Sequence, residues 1–384
     1  MNPVIGIVAN EPSGDQLGAS IVRALQARLP DARFVGVAGP KMLAEGCETL
    51  MPMERLSVMG LFEVLKVLPE LLRLRRRLLR YFTANPPDVF IGIDAPDFNL
   101  GLETRLRRAG IRTVHMVSPT VWAWRPGRVK SIRRAVDLML SIFPFEEAFL
   151  REHAVPVRYV GHPLADEIPL QVDAAKARFG LGLPADGKLV ALLPGSRMSE
   201  VSRLAVPMLE TALRCHLERP GLGFVVPLVS DALYREFDAR RREIAPGIDM
   251  RLLHGRSREA IAAADCVLTA SGTATLETLL LKRPMLVAYR VHALTYRLVI
   301  ALKLVKVPYA AMANLLAGRE LAPEFLQARC TAELMAPALL ALLDDAPRRA
   351  AISVEYERIH RRLRQDAARQ AADAVLDLLA GIAP

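Results

Sequence analysis

Two aspartates three positions apart, Asp94 and Asp97, close an apolar run in PPDVFIGIDAPDFNLGLE (86–103). A carboxylate where a buried strand ends can bind a metal, take a proton or cap the next helix. A metal would need further carboxylates close by, and the chain has no D-x-D. Asp94 is therefore a candidate general base for a hydroxyl or a structural turn carboxylate, with Asp97 placed to cap a helix beginning near Asn99.

Two other stretches have the residue types that hold phosphate. In LLPGSRMSEVSRL (192–204) an apolar strand runs into Gly195-Ser196-Arg197 and then a helical pattern. Gly195 permits a sharp turn, amides at the helix start attract an anion, and Arg197 adds a charged fork. In LTASGTATLETLLLKRP (268–284), Ser271, Gly272, Thr273, Ala274 and Thr275 open a second helix, and Glu277 can accept two ribose hydroxyls. Each loop alone reads equally as a capped strand–turn–helix; together they favour a nucleotide-diphosphate site. Neither is a Walker A loop or a G-x-G-x-x-G fingerprint, which disfavours a kinase or a dehydrogenase.

Three further segments carry paired readings. Ser13, Gly14 and Asp15 in EPSGDQLGA (11–19) form a helix start or an acceptor-binding loop. VSPTVWAWRPGRVKSIRR (117–134) holds Trp122, Trp124 and Arg125, able to stack on a sugar and bind phosphate or simply to pack. LSVMGLFEVLKVLPELLRLRRRLLR (56–80) is apolar through Val58, Met59, Leu61, Phe62, Val64, Leu65 and Leu68, then basic from Arg73 to Arg80. It is either an interfacial helix for an anionic membrane surface or a buried helix with a solvated basic end.

These residues need elements to place them. Strand-like runs at 4–10, 33–39, 88–94, 113–118 and 138–143 alternate with helical patterns at 16–29, 60–83, 99–109, 128–135 and 145–153. A Pro-rich stretch, 161–173, reads as a linker. The alternation resumes with strands at 188–195, 223–230, 249–255, 266–270 and 285–290 and helical patterns at 199–218, 231–244, 257–264, 273–282 and 294–304. One long helix is predicted over 347–380. The pattern implies an α/β protein of two Rossmann-like domains with parallel sheets, ligands lying at strand carboxyl ends. The expected divisions are 1–165, 175–345 and a C-terminal helical segment, 346–384.

The 384 residues suit two domains, and 52% hydrophobic with 24% charged residues indicates a folded chain. No apolar run is long enough to span a bilayer, and the first residues read as a strand rather than a signal peptide. Four dispersed cysteines argue against a zinc cage or a disulfide framework and suit a reducing cytoplasm. A net charge of +10 suggests an anionic partner. With 5% aromatic residues and no recognisable module, nucleic acid ranks below membrane and phosphorylated ligands.

Taken in order, SGDQLGA, FVGVAGPKM, MGLFEVL, DVFIGIDAPDFNL, SPTVWAWR, PFE, GHPLAD, LLPGSR, SGTATLE and NLLAGRE resemble the lipid-A-disaccharide synthase family, glycosyltransferase family 19, over nearly the whole chain. Asn10 and Pro12 depart from the expected loop before SGD. The resemblance implies a GT-B fold with both sheets facing a central cleft and the C-terminal helix returning to the N-terminal domain. It implies an inverting hexosyltransferase joining UDP-2,3-diacylglucosamine to 2,3-diacylglucosamine 1-phosphate (lipid X), to give the β-1′,6 disaccharide and UDP. Asp94 then matches the candidate base. Gly195, Ser196, Arg197, Ser271 to Thr275, Glu277 and Asn314 match the UDP site, and Ser13, Gly14, Asp15, Trp122 and Arg125 the acceptor side. No metal or other cofactor is expected. The resemblance places the protein peripherally on the cytoplasmic face of the inner membrane and allows a homodimer. A UDP-sugar epimerase of the same fold and a non-catalytic nucleotide- or membrane-binding protein are the competing readings.

Overall fold

The computed structural model describes residues 2–56, 61–122, 126–292, 297 and 307–382; for 61–67 and 126 it describes the backbone alone. The chain divides into two compact units, Met1–Asp166 with Leu363–Pro384, and Glu167–Arg362.

The first unit holds seven parallel strands: β1 Val4–Ala9, β2 Arg33–Val37, β3 Glu48–Thr49, β4 Val89–Ile93, β5 Arg112–Met116, β6 Leu138–Ser141 and β7 Val157–Tyr159. Their order is β3-β2-β1-β4-β5-β6-β7. The central strands are apolar and buried, as required when helices cover both faces. The helices include α1 Pro12–Gln26, α2 Pro40–Ala44, α3 Leu61–Ala84, α4 Pro96–Arg108, α5 Val129–Ala135, α6 Pro144–Glu152 and α7 Pro163–Glu167.

The second unit repeats the plan with β8 Leu189–Leu193, β9 Gly223–Leu228, β10 Met250–His254, β11 Cys266–Ala270, β12 Met285–Tyr289 and β13 Glu324–Leu326, ordered β10-β9-β8-β11-β12-β13. Its described helices are α8 Ala174–Leu181, α9 Met198–Glu218, α10 Asp231–Ile244, α11 Ser257–Ala263, α12 Thr273–Leu280, α13 Met312–Ala317, α14 Ala332–Asp344 and α15 Ala346–Leu363. The strand order reverses between β1 and β4 in one sheet and between β8 and β11 in the other. Ligands of open parallel sheets bind at such reversals.

The sequence reading needs correction at the edges. β3, β7 and β13 escape it because each is a two- or three-residue edge strand, too short to leave an apolar run. The helical pattern at 294–304 lies outside the described residues apart from Arg297. The single helix expected over 347–380 is two, α15 and α16 Ala367–Leu379, broken at Asp366, whose φ of 57° no continuing helix allows. The segment 346–384 is thus not one body, because its last helix packs on α1 of the first unit.

The Pro-rich stretch expected as a linker does the joining. Gly161, at φ +88°, passes so close that an added Cβ would lie 2.8 Å from the Leu363 carbonyl oxygen. The His162 amide donates to that carbonyl at 2.8 Å. The Asp166 carboxylate accepts from the amides of Asp366 and Ala367 at 2.9 and 2.7 Å, satisfying the open start of α16. Asp166→Ala should destabilise the first unit by about 1 kcal/mol, the usual value of a lost helix cap. Faster hydrogen exchange confined to the first turn of α16, with a lowered urea midpoint, is the expected readout; unchanged exchange there would contradict the capping role.

Candidate functional site at the strand-order reversals

At the reversal of the first sheet the chain leaves β4 through Asp94 and Ala95, both left-handed at φ 52° and 41°. Val117, which follows β5, is left-handed as well at φ 74°. Such conformations cost non-glycine residues of order 1–3 kcal/mol each and cluster at functional sites. The Asp94 amide donates to the Met116 carbonyl at 2.9 Å, and its carbonyl accepts from the Asn99 side chain at 2.9 Å. Asn99 also donates to the Ile93 carbonyl and to Asn10 at the end of β1, so one buried amide ties the two switch-point loops together. The Asp94 side chain is half-buried and makes no hydrogen bond to a described residue. Asp97 does not cap α4, because the helix begins at Pro96 and its carboxylate pairs with Arg128 instead.

Below this turn lies a buried pair absent from the sequence reading. His115 Nδ1 is 2.8 Å from Glu103 Oε1, and both side chains are fully buried. Burial pushes the Glu103 carboxyl above its usual range, with His115 opposing. Gly92 makes the room: an added Cβ would sit 2.0 Å from Glu103 Oε1. A histidine inside the otherwise apolar TVHMVS strand was the signal available for it.

Two expected acceptor-side residues prove to be builders of the site. Asp15 is buried, and its carboxylate accepts from the amides of Gly39, Lys41 and Met42 at 3.0, 2.9 and 3.0 Å. It clips α1 to the loop after β2 rather than facing a ligand. Ser13 stays exposed at the start of α1, with Gly14 buried against Ala9 and Ile93. Trp122 donates its indole N–H to Glu146 at 3.2 Å and packs edge-on against Phe145. This explains the PFE segment, since Glu146 also accepts from the Phe143 amide. Arg125, Trp124, Val58 and Met59 lie outside the described residues, as do the side chains of Leu61, Phe62, Val64 and Leu65; Leu68 is 43% exposed on α3.

At the reversal of the second sheet, loops 194–197 and 271–272 end the neighbouring strands β8 and β11. Gly195 adopts φ +117°, and an added Cβ would strike Glu200 Oε2 at 2.4 Å. The amides of Ser196 and Arg197, expected to await a phosphate, donate to that Glu200 oxygen at 2.9 and 3.2 Å. Arg197 itself extends into solvent, 80% exposed. Gly272 stands at φ +149° in open space. Ser271 is anchored to the Ala310 carbonyl, and Thr275 is buried, bonded to Gly272 and to the Met312 amide. Glu277 is held by Arg258 at 3.2 Å, which also pairs with Glu167.

Asn314 is corrected outright. It is fully buried, its amide nitrogen donates to Ala322 and Glu324, and its oxygen accepts from Leu321 and Ala322. With two donors and two acceptor sites all engaged, it has no capacity left for a nucleotide. Glu324, which the sequence reading passed over, gathers Asn314 with the amides of Ala310 and Ala311 behind the Ser271 loop.

Two tandem Rossmann-like units, each a parallel sheet with one strand-order reversal, are the GT-B fold of glycosyltransferases. Solved structures of that fold cover almost the whole chain at low identity. They include the glycosyltransferase of kitacinnamycin, 16% identical with a TM-score of 0.63, covering 98% of this chain and 99% of its own. The UDP-GlcNAc 2-epimerase from Neisseria meningitidis bound to UDP-GlcNAc is 12% identical with a TM-score of 0.61, covering 99% and 100%. The family model for lipid-A-disaccharide synthetase matches residues 5–378. Lipid-A-disaccharide synthase of Pseudomonas aeruginosa (strain UCBPP-PA14) is 57% identical over 98% of both chains, and that of Azotobacter vinelandii 55% identical over 97% of both. The chain belongs to the lipid-A-disaccharide synthase family, and it is a hexosyltransferase acting in lipid A disaccharide synthesis.

The Trp122–Glu146 contact has a pH signature. Desolvation first, against hydrogen bonds from Trp122, Phe143 and Ile142, raises the Glu146 carboxyl from 4.5 to about 8. The folded state then holds a proton that the unfolded chain has lost, so this group's contribution to stability falls as pH rises from about 4.5 to about 8. Glu146→Gln should flatten that slope in urea titrations repeated across the window. A parallel decline in both proteins would assign the slope to another group.

Proposed function

We propose that the chain transfers a 2,3-diacylglucosaminyl group from its UDP donor to the 6-hydroxyl of 2,3-diacylglucosamine 1-phosphate, with inversion at the donor carbon. The observation that carries the reading is Asp94, a carboxylate without a described partner, held in a strained turn at a strand-order reversal. As the acceptor oxygen attacks the anomeric carbon, Asp94 takes its proton. The bond from that carbon to the diphosphate breaks, and UDP leaves with the electron pair. An α-linked donor then gives a β-linked product in a single displacement.

The second unit supplies the charge the leaving diphosphate requires. Arg197 reaches into solvent with only a 4.0 Å contact to Glu200 Oε1 among the described residues, and the Ser196 and Arg197 amides already converge on the other oxygen of Glu200. Paired amides of this kind form an anion-binding nest. The amides at the start of α12 and the open space beside Gly272 offer a second place for phosphate. Glu277, oriented by Arg258, is the group for the ribose hydroxyls. Among the described residues no three metal-ligating side chains converge, and this reading assigns the leaving-group charge to arginine and backbone amides.

Incubation with both acylated sugars and excess EDTA should yield disaccharide and UDP, and Asp94→Asn should lower turnover by roughly 10²–10⁴ with UDP affinity unchanged, the range for a lost general base. Near-normal turnover in that variant would remove Asp94 from the base role, and loss on chelation restored by Mg²⁺ would overturn the metal-free mechanism.

The acyl chains call for membrane access, and no helix among the described residues is long and apolar enough to cross a bilayer. Docking through 58–72, with the exposed arginines of α3 adding attraction to anionic lipid, fits a peripheral protein of the cytoplasmic membrane face. Changing Leu61, Phe62 and Leu65 to Ser should leave the melting temperature intact and abolish flotation with phosphatidylglycerol vesicles. An unfolded variant would identify these side chains as core, and a folded one that still floats would put the dock elsewhere.

A further inference from the structure

Five arginines crowd the second half of α3, and one behaves differently from the rest. Arg73, Arg76, Arg77 and Arg80 are exposed, whereas Arg75 is half-buried against α4. Among the described residues, its buried Nε has no hydrogen-bond partner and its Nη1 reaches only the Asp97 carbonyl, at 3.4 Å. The Asp97 carboxylate is turned to Arg128. No carboxylate of a described residue pairs with Arg75, and Arg76 and Arg105 nearby are cations. Desolvation first, then those two cations, hold its guanidinium below the usual range.

The helix opposite is shaped around this side chain. Gly101 sits mid-helix in α4, where glycine weakens the helix relative to alanine. A Cβ there would meet Arg75 Nη1 at 2.4 Å. A half-buried cation given room but no carboxylate partner among the described residues is an unfinished ion pair. It lines a cavity of about 260 Å³ whose walls include Leu56, Leu68, Leu71, Leu72 and Phe98, whose rim is the Ala95–Asp97 turn beside Asp94, and which Asn10 and the acidic Glu11 also line.

Largely apolar walls, a guanidinium with no carboxylate partner among the described residues and a rim next to the candidate base are complementary to an amphiphile with an anionic head, whose charge would meet Arg75 and turn away from the exposed Glu11 on the same lining. We propose that this cavity is the acceptor subsite, with an acyl chain against the leucines and the sugar phosphate on Arg75. The assignment rests on the transferase reading above and adds the residue that selects a phosphorylated acceptor.

The test compares 2,3-diacylglucosamine 1-phosphate with the same sugar lacking its phosphate, both in turnover with the UDP donor and in donor-free binding by calorimetry. Wild type should prefer the phosphorylated form. Arg75→Met should lose roughly 10- to 100-fold in kcat/KM and in affinity for that form alone, the scale of one charge-assisted contact, with UDP binding unchanged. Gly101→Ala, which keeps the charge but displaces the mobile end of Arg75, should give a smaller loss with the same selectivity, in a helix made no weaker. Equal losses on both sugars, or no loss in either variant, would overturn the assignment. Anionic lipid offers the same phosphate chemistry, so flotation with phosphatidylglycerol vesicles is the control. Reduced flotation of Arg75→Met with acceptor preference intact would make Arg75 a membrane contact and overturn the proposal. If wild type turned over neither sugar, the transferase reading would fail, whereas wild-type turnover with an unselective Arg75 would sink the subsite alone.

Discussion

A parallel sheet whose strands run outward from a central pair must reverse its order once, and at that reversal two neighbouring strand ends diverge with no crossover covering them. Both sheets obey this constraint, and the candidate chemistry gathers at both reversals. In the first, the loops after β1 and β4 bring Asn10 beside Asp94 through the Asn99 amide. In the second, the loops after β8 and β11 bring Gly195–Arg197 beside Ser271–Gly272. Topology supplies the position, and the residues placed there supply the chemistry.

Loops in both units share one device: a carboxylate of the chain collects backbone amides that would otherwise face solvent or a ligand. Asp15 does so for 39–42, Glu200 for 196–197, Glu324 for 310–311 and Asp166 for the start of α16. Converging amides favour negative charge whatever its source. A carboxylate that builds a loop and a phosphate that binds one therefore draw on the same geometry, and sequence alone does not separate the two.

This explains how legible the site was. The central strands could be read because burial on both faces demands unbroken Val, Ile and Leu runs, as in VFIGI and LVALL. Gly195 and Gly272 could be read because each takes a positive φ at a strand end. Asn314 misled because a buried amide with four internal bonds and an exposed amide awaiting a nucleotide are the same letter. Asp15 misled in the same way. Glu103 and His115 were passed over because their partnership joins a helix to a strand through the space left by Gly92, a relation no local periodicity carries.

Charge patterning shows the same limit from the opposite side. The basic half of α3 reads as one solvated face, yet helical geometry splits it. Leu74 and Leu78 point to the core, and Arg75, one position on from Leu74, is drawn in beside them. Its neighbours Arg76 and Arg77 turn outward and keep their hydration. A run of like charges thus contains two populations, distinguished by desolvation rather than by residue type. The solvated arginines attract an anionic surface weakly and from a distance. The one withdrawn from water gains most from direct contact with an anion, because a charge interaction strengthens as the surrounding dielectric falls.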